Sequence, residues 1–277
     1  MKEIVIRNLI EQALIEDMPY GDVTTDNLIS DTSITNAYLL AKATGVLAGL
    51  KYFKQVFSLV DSEMTFKDFK KDGDTLSEED IILEITGKTK AILKAERLAL
   101  NILQRMSGIA TLTKEFVAKT KNTKTNIVDT RKTTPNFRLF EKEAVVIGGG
   151  INHRGNLSET VLIKDNHIFE SGGVKNAINI IRTKIPHTMK IEVEVEDLLM
   201  FEEALEARAD IIMLDNMSTE MMKTAVKLNN NQAILEASGN MSLQRIEAVA
   251  ECGVDIISVG ALTHSYQALD ISLRFKK

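Results

Sequence analysis

Apolar and polar positions follow two rhythms along the chain, and the change falls near residue 125. Before it, Ile6, Leu9, Ile10, Ala13 and Leu14 recur three and four apart within residues 3–16, which predicts an amphipathic helix. Glu16-Asp17, Gly21-Asp22 and Thr24-Thr25 then make a polar, turn-rich segment. Residues 34–49, 64–69 and 80–87 read as strands and Lys51 to Val60 as a helix, with a turn at Lys71-Asp72-Gly73-Asp74. From Thr89 to Lys121, Ile92, Ala95, Leu98, Ala99, Ile102, Leu103, Met106 and Ile109 keep helical spacing, with Ser107-Gly108 as a potential break. Arg97, Asn101, Gln104 and Gly108 form a separate stripe on that helix. After residue 125 the rhythm becomes strand, helix, strand. Runs at 126–130, 160–164, 189–195, 210–214, 232–236 and 255–259 read as strands, and amphipathic helices at 197–208, 219–228 and 243–251 separate the last four. Such βα repeats predict a parallel sheet, either an incomplete barrel or an open doubly wound one.

Composition narrows the function. With 277 residues and 44% hydrophobic positions, two domains or one large barrel can be built. The 34 basic against 39 acidic side chains leave a formal net charge of −5, which argues against a nucleic-acid partner. Cations gathered locally in an acidic chain point to a small, highly anionic ligand. A single cysteine, Cys252, fits a reducing cytoplasm and forms no internal disulfide. The charged N-terminus reads as no signal peptide, and no apolar run is long enough for a membrane span.

Candidate chemistry lies at the predicted strand ends. Arg131 and Lys132 follow an apolar run, His153 and Arg154 follow Gly148-Gly149-Gly150, and Lys164 ends another run with His167 three residues on. In IEVEVED, Glu192, Glu194 and Glu196 share one strand face, where burial would demand a cationic or hydroxyl partner. Asp215 ends the next strand. Ser238-Gly239-Asn240 and Val259-Gly260-Ala261 supply the glycine turns at which a barrel commonly cradles phosphate. Gly148 to Gly150 lack the spacing of a dinucleotide fingerprint, and Met213, Met217, Met221 and Met222 read as core filler.

DTRKTTP, GGGINHR, LIKDNH, EVEVE, MLDN, ASGN and SVGALTHS, in this order and spacing, resemble the quinolinate phosphoribosyltransferase family, the carboxylating nicotinate-nucleotide pyrophosphorylases. EDMPYGDVTT and AERLALNILQRMSGIAT extend the resemblance over nearly the whole chain. It implies an α/β fold: an N-terminal α/β sandwich domain (1–108, with the 270–277 tail returning to it) and an incomplete, seven-stranded α/β barrel (109–269). It further implies a pentosyltransferase that joins quinolinate to phosphoribosyl pyrophosphate with Mg²⁺, releasing pyrophosphate and CO₂ and forming nicotinate mononucleotide for NAD synthesis. By the same resemblance Thr130, Arg131, Lys132, His153, Arg154 and Lys164 line the quinolinate and pyrophosphate region. Arg97 reaches across a homodimer or larger homo-oligomer. Glu194 and Asp215 hold ribose hydroxyls and the metal, and Ser238, Gly239, Asn240, Gly260 and Ala261 form the phosphate loops. Lys132, Lys164, Glu194 and Asp215 are its expected catalytic residues. The chain departs from the family at Asn136-Phe137, where Gly-Leu commonly follows the proline; a positive φ there suits Asn better than most residues. Two alternatives are a molybdenum-transport-associated paralogue acting on another substrate and a non-catalytic phosphosugar-binding module. The intact Arg131–Thr134 and Lys164–His167 motifs weigh against the first, and the acidic pair against the second.

Overall fold

The structure is a computed structural model and describes residues 2–276; Met1 and Lys277, at the outer ends of the expected first domain and its returning tail, lie outside them. The described residues form two compact units, 2–112, 134–148 and 266–276 in the first, 113–133 and 149–265 in the second.

The first unit opens with α1 (Lys2–Asp17), which buries Ile6 and Ile10. The segment expected as a polar turn contains a short helix, α2 (Val23–Leu28). Asp22 makes it possible, since its Oδ1 accepts from the N–H groups of Thr24 and Thr25, each at 3.0 Å. β1 (Ile34–Ala41), β2 (Gly45–Val46), α3 (Leu50–Val60), β3 (Thr65–Asp68), β4 (Thr75–Leu76) and β5 (Ile81–Lys88) follow. α4 (Thr89–Ala118) passes Ser107-Gly108 unbroken and buries Ile92, Ala95, Ala99, Ile102, Leu103, Met106 and Ile109. Gly108 serves packing: a Cβ there would lie 2.1 Å from the Gln267 carbonyl oxygen, so only glycine admits that backbone.

β6 (Asn126–Val128) belongs to the second unit, whereas α5 (Arg138–Ile147) groups with the first. The sequence division at residue 108 placed α5 with the barrel. Its contacts explain the difference: Glu143 accepts from Tyr52 Oη at 2.6 Å and from Lys2 Nζ at 2.7 Å, and Phe140 meets the Tyr52 ring edge-on at 4.9 Å. Fully buried Glu141 pairs with Arg105, whose guanidinium lies 5.0 Å from both the Phe137 and Tyr266 rings. Asn136 adopts φ +63°, the left-handed conformation expected after Pro135.

The chain continues through β7 (Val161–Ile163), α6 (Asp165–Ser171), α7 (Val174–Arg182), β8 (Ile191–Val195), α8 (Leu198–Glu206), β9 (Ile211–Asp215), α9 (Thr219–Asn229), β10 (Ile234–Ser238), α10 (Leu243–Ala250), β11 (Ile256–Ser258) and α11 (Ala261–His264). It ends in β12 (Ile271–Phe275), which pairs antiparallel with β1, Leu39 opposite Leu273. The first unit's main sheet thus runs β12-β1-β5-β3, all antiparallel.

The second unit holds a parallel sheet in the order β6-β11-β10-β9-β8-β7, the architecture of a partial α/β barrel. Its strands are covered on both faces: Ile191, Val193 and Val195 are fully buried, and Glu192, on the opposite face, is 1% exposed. The expected seventh strand shrinks to one residue. Ile151 bridges Val128 in parallel, its N–H donating to Ile127 O at 2.9 Å and its carbonyl accepting from Asp129 N–H at 3.3 Å. Gly149 at φ +94° ends any extension on one side. On the other, the His153 N–H turns to the Asp129 side chain rather than to a ladder partner.

Candidate active site

The carboxyl ends of the parallel strands surround one cavity of about 670 Å³ in the second unit. Thr130, Arg131 and Lys132 enter it from the end of β6. A turn closed by Lys132 N–H to Thr130 Oγ1 at 3.0 Å shapes this segment, and Thr263 Oγ1 donates to Lys132 O at 2.8 Å. Lys164 follows β7 and caps α6; its backbone N–H donates to His167 Nδ1 at 3.0 Å, so His167 orients the lysine from behind. The Lys164 ammonium pairs with Glu194 on β8. Asp215 ends β9 and accepts from Asn216 Nδ2 at 2.6 Å.

The two glycine turns are tight, the first more than the second. Gly239, at φ +90° after β10, would place a Cβ 2.2 Å from Asn216 Oδ1. At Gly260 a Cβ would lie 3.0 Å from both Lys132 Cδ and His264 Nε2. Ser238, Gly239, Asn240, Gly260 and Ala261 all line the cavity, as do His153 and Arg154. Every site residue expected from the sequence is therefore brought together except Arg97, which is exposed on α4 in the first unit and does not line this cavity.

Charge is concentrated and incompletely balanced. Burial, then the neighbouring Arg131 charge, hold Arg154 below its ordinary value, while Glu192 pulls it back up. Two arginines held close under those conditions form a site suited to anionic oxygens. Burial alone would lower the His153 imidazole, but hydrogen bonds and charges from Glu192 and Glu236 outweigh it and raise its pKa, while the Arg154 N–H on Nδ1, at 2.7 Å, favours the ring that carries its one proton on Nε2. Burial raises Glu192 in turn, against the His153 hydrogen bond that lowers it. Of the IEVEVED acids, Glu192 thus finds a histidine and Glu194 a lysine, while Glu196 is exposed.

Seven further residues line the cavity: the polar Asn216, Glu236, Ser258 and His264, and the apolar Leu162, Met213 and Met241, so that Met213, expected as core filler, also faces the site. Asn216, Ser258 and His264 lie inside the motifs MLDN and SVGALTHS, where no role was assigned to them. Glu236 lies in the run AILEA, where period-2 alternation with Ser238 was the available signal that it shares the cavity face.

Comparison with known proteins agrees across both units. Residues 22–107 match the family described as quinolinate phosphoribosyl transferase, N-terminal domain, and residues 109–274 match its C-terminal domain. A probable nicotinate-nucleotide pyrophosphorylase [carboxylating] of Bacillus subtilis is 40% identical over 273 residues, covering 99% of this chain and 94% of the relative. The chloroplastic nicotinate-nucleotide pyrophosphorylase [carboxylating] of Arabidopsis thaliana is 40% identical over 288 residues, with 97% and 82% covered. Among solved structures, NadC from Streptococcus pyogenes superposes with a TM-score of 0.94 at 44% identity, covering 98% of this chain and 97% of that one.

Proposed function

The chain belongs to the quinolinate phosphoribosyltransferase family, and we propose that the cavity at its parallel strand ends is where quinolinate meets phosphoribosyl pyrophosphate. The activity is that of the family, a pentosyl transfer in NAD biosynthesis that yields nicotinate mononucleotide, pyrophosphate and CO₂. One observation carries the assignment of the site: Arg131 and Lys132 from one loop, Arg154 from a second and Lys164 from a third face one cavity beside the acids Glu194 and Asp215.

Each group has a role that its chemistry suits. The guanidinium forks of Arg131 and Arg154 fit the two pyridine carboxylates. Lys132 and Lys164 neutralise the charge that develops on departing pyrophosphate as the ring nitrogen attacks the sugar carbon. Backbone N–H groups at Ser238 to Asn240 and at Gly260-Ala261 suit the 5-phosphate. Glu194 and Asp215 accept from ribose hydroxyls. These two carboxylates also suit Mg²⁺, and because Lys164 already engages Glu194, they fit an ion that draws most of its ligands from substrate oxygens and water. Bound there, Mg²⁺ supplies Lewis-acid stabilisation of the leaving group. No covalent intermediate with the protein is needed. The electron pair left on the ring when CO₂ departs is stabilised by the pyridinium until the carbon takes a proton.

The protein acts as a homodimer or larger homo-oligomer in which Arg97 serves a neighbouring copy's cavity. Its exposure on α4 supports this, as do Tyr20, Val23 and Leu28, which are 100%, 80% and 75% exposed in the same unit. A cytoplasmic location is proposed from the lone cysteine. The test is purified protein with carboxyl-labelled quinolinate, phosphoribosyl pyrophosphate and Mg²⁺. Labelled CO₂ and nicotinate mononucleotide should appear together, and chelation should stop both. Turnover of a different pyridine acid but not of quinolinate would assign the chain to the paralogue instead.

A further inference from the structure

We propose that Glu192 and Glu236 are positioning residues that act through the His153 ring to fix the turn presenting Arg154 to the cavity, an inference that rests on the ligand reading of that cavity given above. The turn follows the single bridged residue Ile151, so side chains must supply what a strand ladder supplies elsewhere. Buried Asp129 accepts from His153 N–H at 2.8 Å. The His153 Nδ1 accepts from Arg154 N–H at 2.7 Å. With that lone pair occupied, the ring's proton sits on Nε2, which lies 3.2 Å from Glu192 Oε2 and 3.5 Å from Glu236 Oε2. The Arg154 guanidinium is held in turn by Thr160 O at 3.0 Å.

Two acceptors on different strands do what one cannot. A single carboxylate would leave the ring free to swing about its hydrogen bond. Glu192 on β8 and Glu236 on β10, each 1% exposed, approach the same N–H from two backbones and fix the ring plane. Such burial of acids has a cost that only a specific arrangement offsets, and Glu236 Oε1 lacks any hydrogen-bond partner. The same three side chains are close enough for one metal ion to touch them all, their candidate ligand atoms lying within 4.8 Å of one another. Ligation through Nε2 would, however, move the proton to Nδ1, against the Arg154 N–H. The geometry favours a hydrogen-bonded clamp.

The test compares Glu236→Gln, Glu236→Ala and Glu192→Ala in the full chain, measuring kcat and KM for each substrate. Glutamine keeps an acceptor oxygen, so Glu236→Gln should stay within about threefold of the parent, whereas both alanine variants should raise the quinolinate KM roughly tenfold or more and leave the phosphoribosyl pyrophosphate KM within about threefold. If an alanine variant fails to fold, Glu236→Asp, which withdraws the oxygen by one methylene, should show the same split. An unchanged quinolinate KM in folded alanine variants, or an equal loss in Glu236→Gln, would overturn the clamp. So would stoichiometric Mn²⁺ or Zn²⁺ bound by the parent and lost in Glu236→Gln. A parent that turns over no quinolinate at all would instead refute the activity reading.

Discussion

Replacing Arg154 with alanine separates ligand binding from stability more cleanly than any other change at the cavity. In the free protein Arg154 sits partly buried beside Arg131, and that proximity disfavours its charge. Among the described residues the guanidinium's one hydrogen-bond partner is a carbonyl, Thr160 O at 3.0 Å, which water can satisfy once the side chain is gone. Truncation should therefore leave the thermal midpoint unchanged or slightly raised. With a dianionic ring bound, the same truncation removes a charged, two-pronged contact, at a cost of about 2–5 kcal/mol. At roughly 1.4 kcal/mol per factor of ten, kcat/KM for quinolinate should fall about 30-fold to a few thousand-fold. Arg154→Lys keeps the charge without the fork and should fall between the parent and alanine. Steady-state rates of CO₂ release at saturating phosphoribosyl pyrophosphate, with calorimetric midpoints for each variant, give both readings. A folded Arg154→Ala variant with kcat/KM within threefold of the parent would refute the electrostatic account of this site.

Three further outcomes follow from the packing. Gly239→Ala should abolish most turnover while the barrel stays folded, since the added Cβ would press on Asn216 Oδ1 at 2.2 Å in a backbone held at φ +90°; activity assays with circular dichroism check it. Arg105→Ala should destabilise the protein by about 3–5 kcal/mol in denaturant unfolding, because Glu141 is left buried without its cation; Arg105→Met with Glu141→Gln should recover part of the loss. Asp22→Ala should loosen α2, measurable as faster amide exchange at Asn27 and Leu28. Hydrogen bonds from Thr25 hold the Asp22 carboxyl below its ordinary value, so the parent's advantage is present above pH 3.8 and disappears as pH falls through the lower folded value.

Much of the second unit was legible because its strands are apolar runs and its helices carry one buried stripe, so period alone separates them. β8, β9 and β10 fell within two residues of their expected starts for that reason. α5 was not, since Glu141 and Lys142 occupy buried positions and spoil the apolar rhythm that marks a helix. α2 owes its existence to a cap rather than to periodicity. Ile151 is a strand of one residue, too short to have any period. At the site, motifs identified the cations and glycines. Glu236 stayed hidden because a carboxylate alternating with apolar residues reads as solvent-facing until the sheet curls and turns that face inward.

Residues 271–275 complete the sheet that β1 begins. On the ribosome, β1 emerges early, yet its partner along one edge, residues 271–275, arrives only when some two hundred and thirty further residues have been added. Until then Leu39, Leu40 and Ala41 present an unpaired edge that is open to association with other nascent chains. Deleting residues 271–275 should thus harm the first unit before the second.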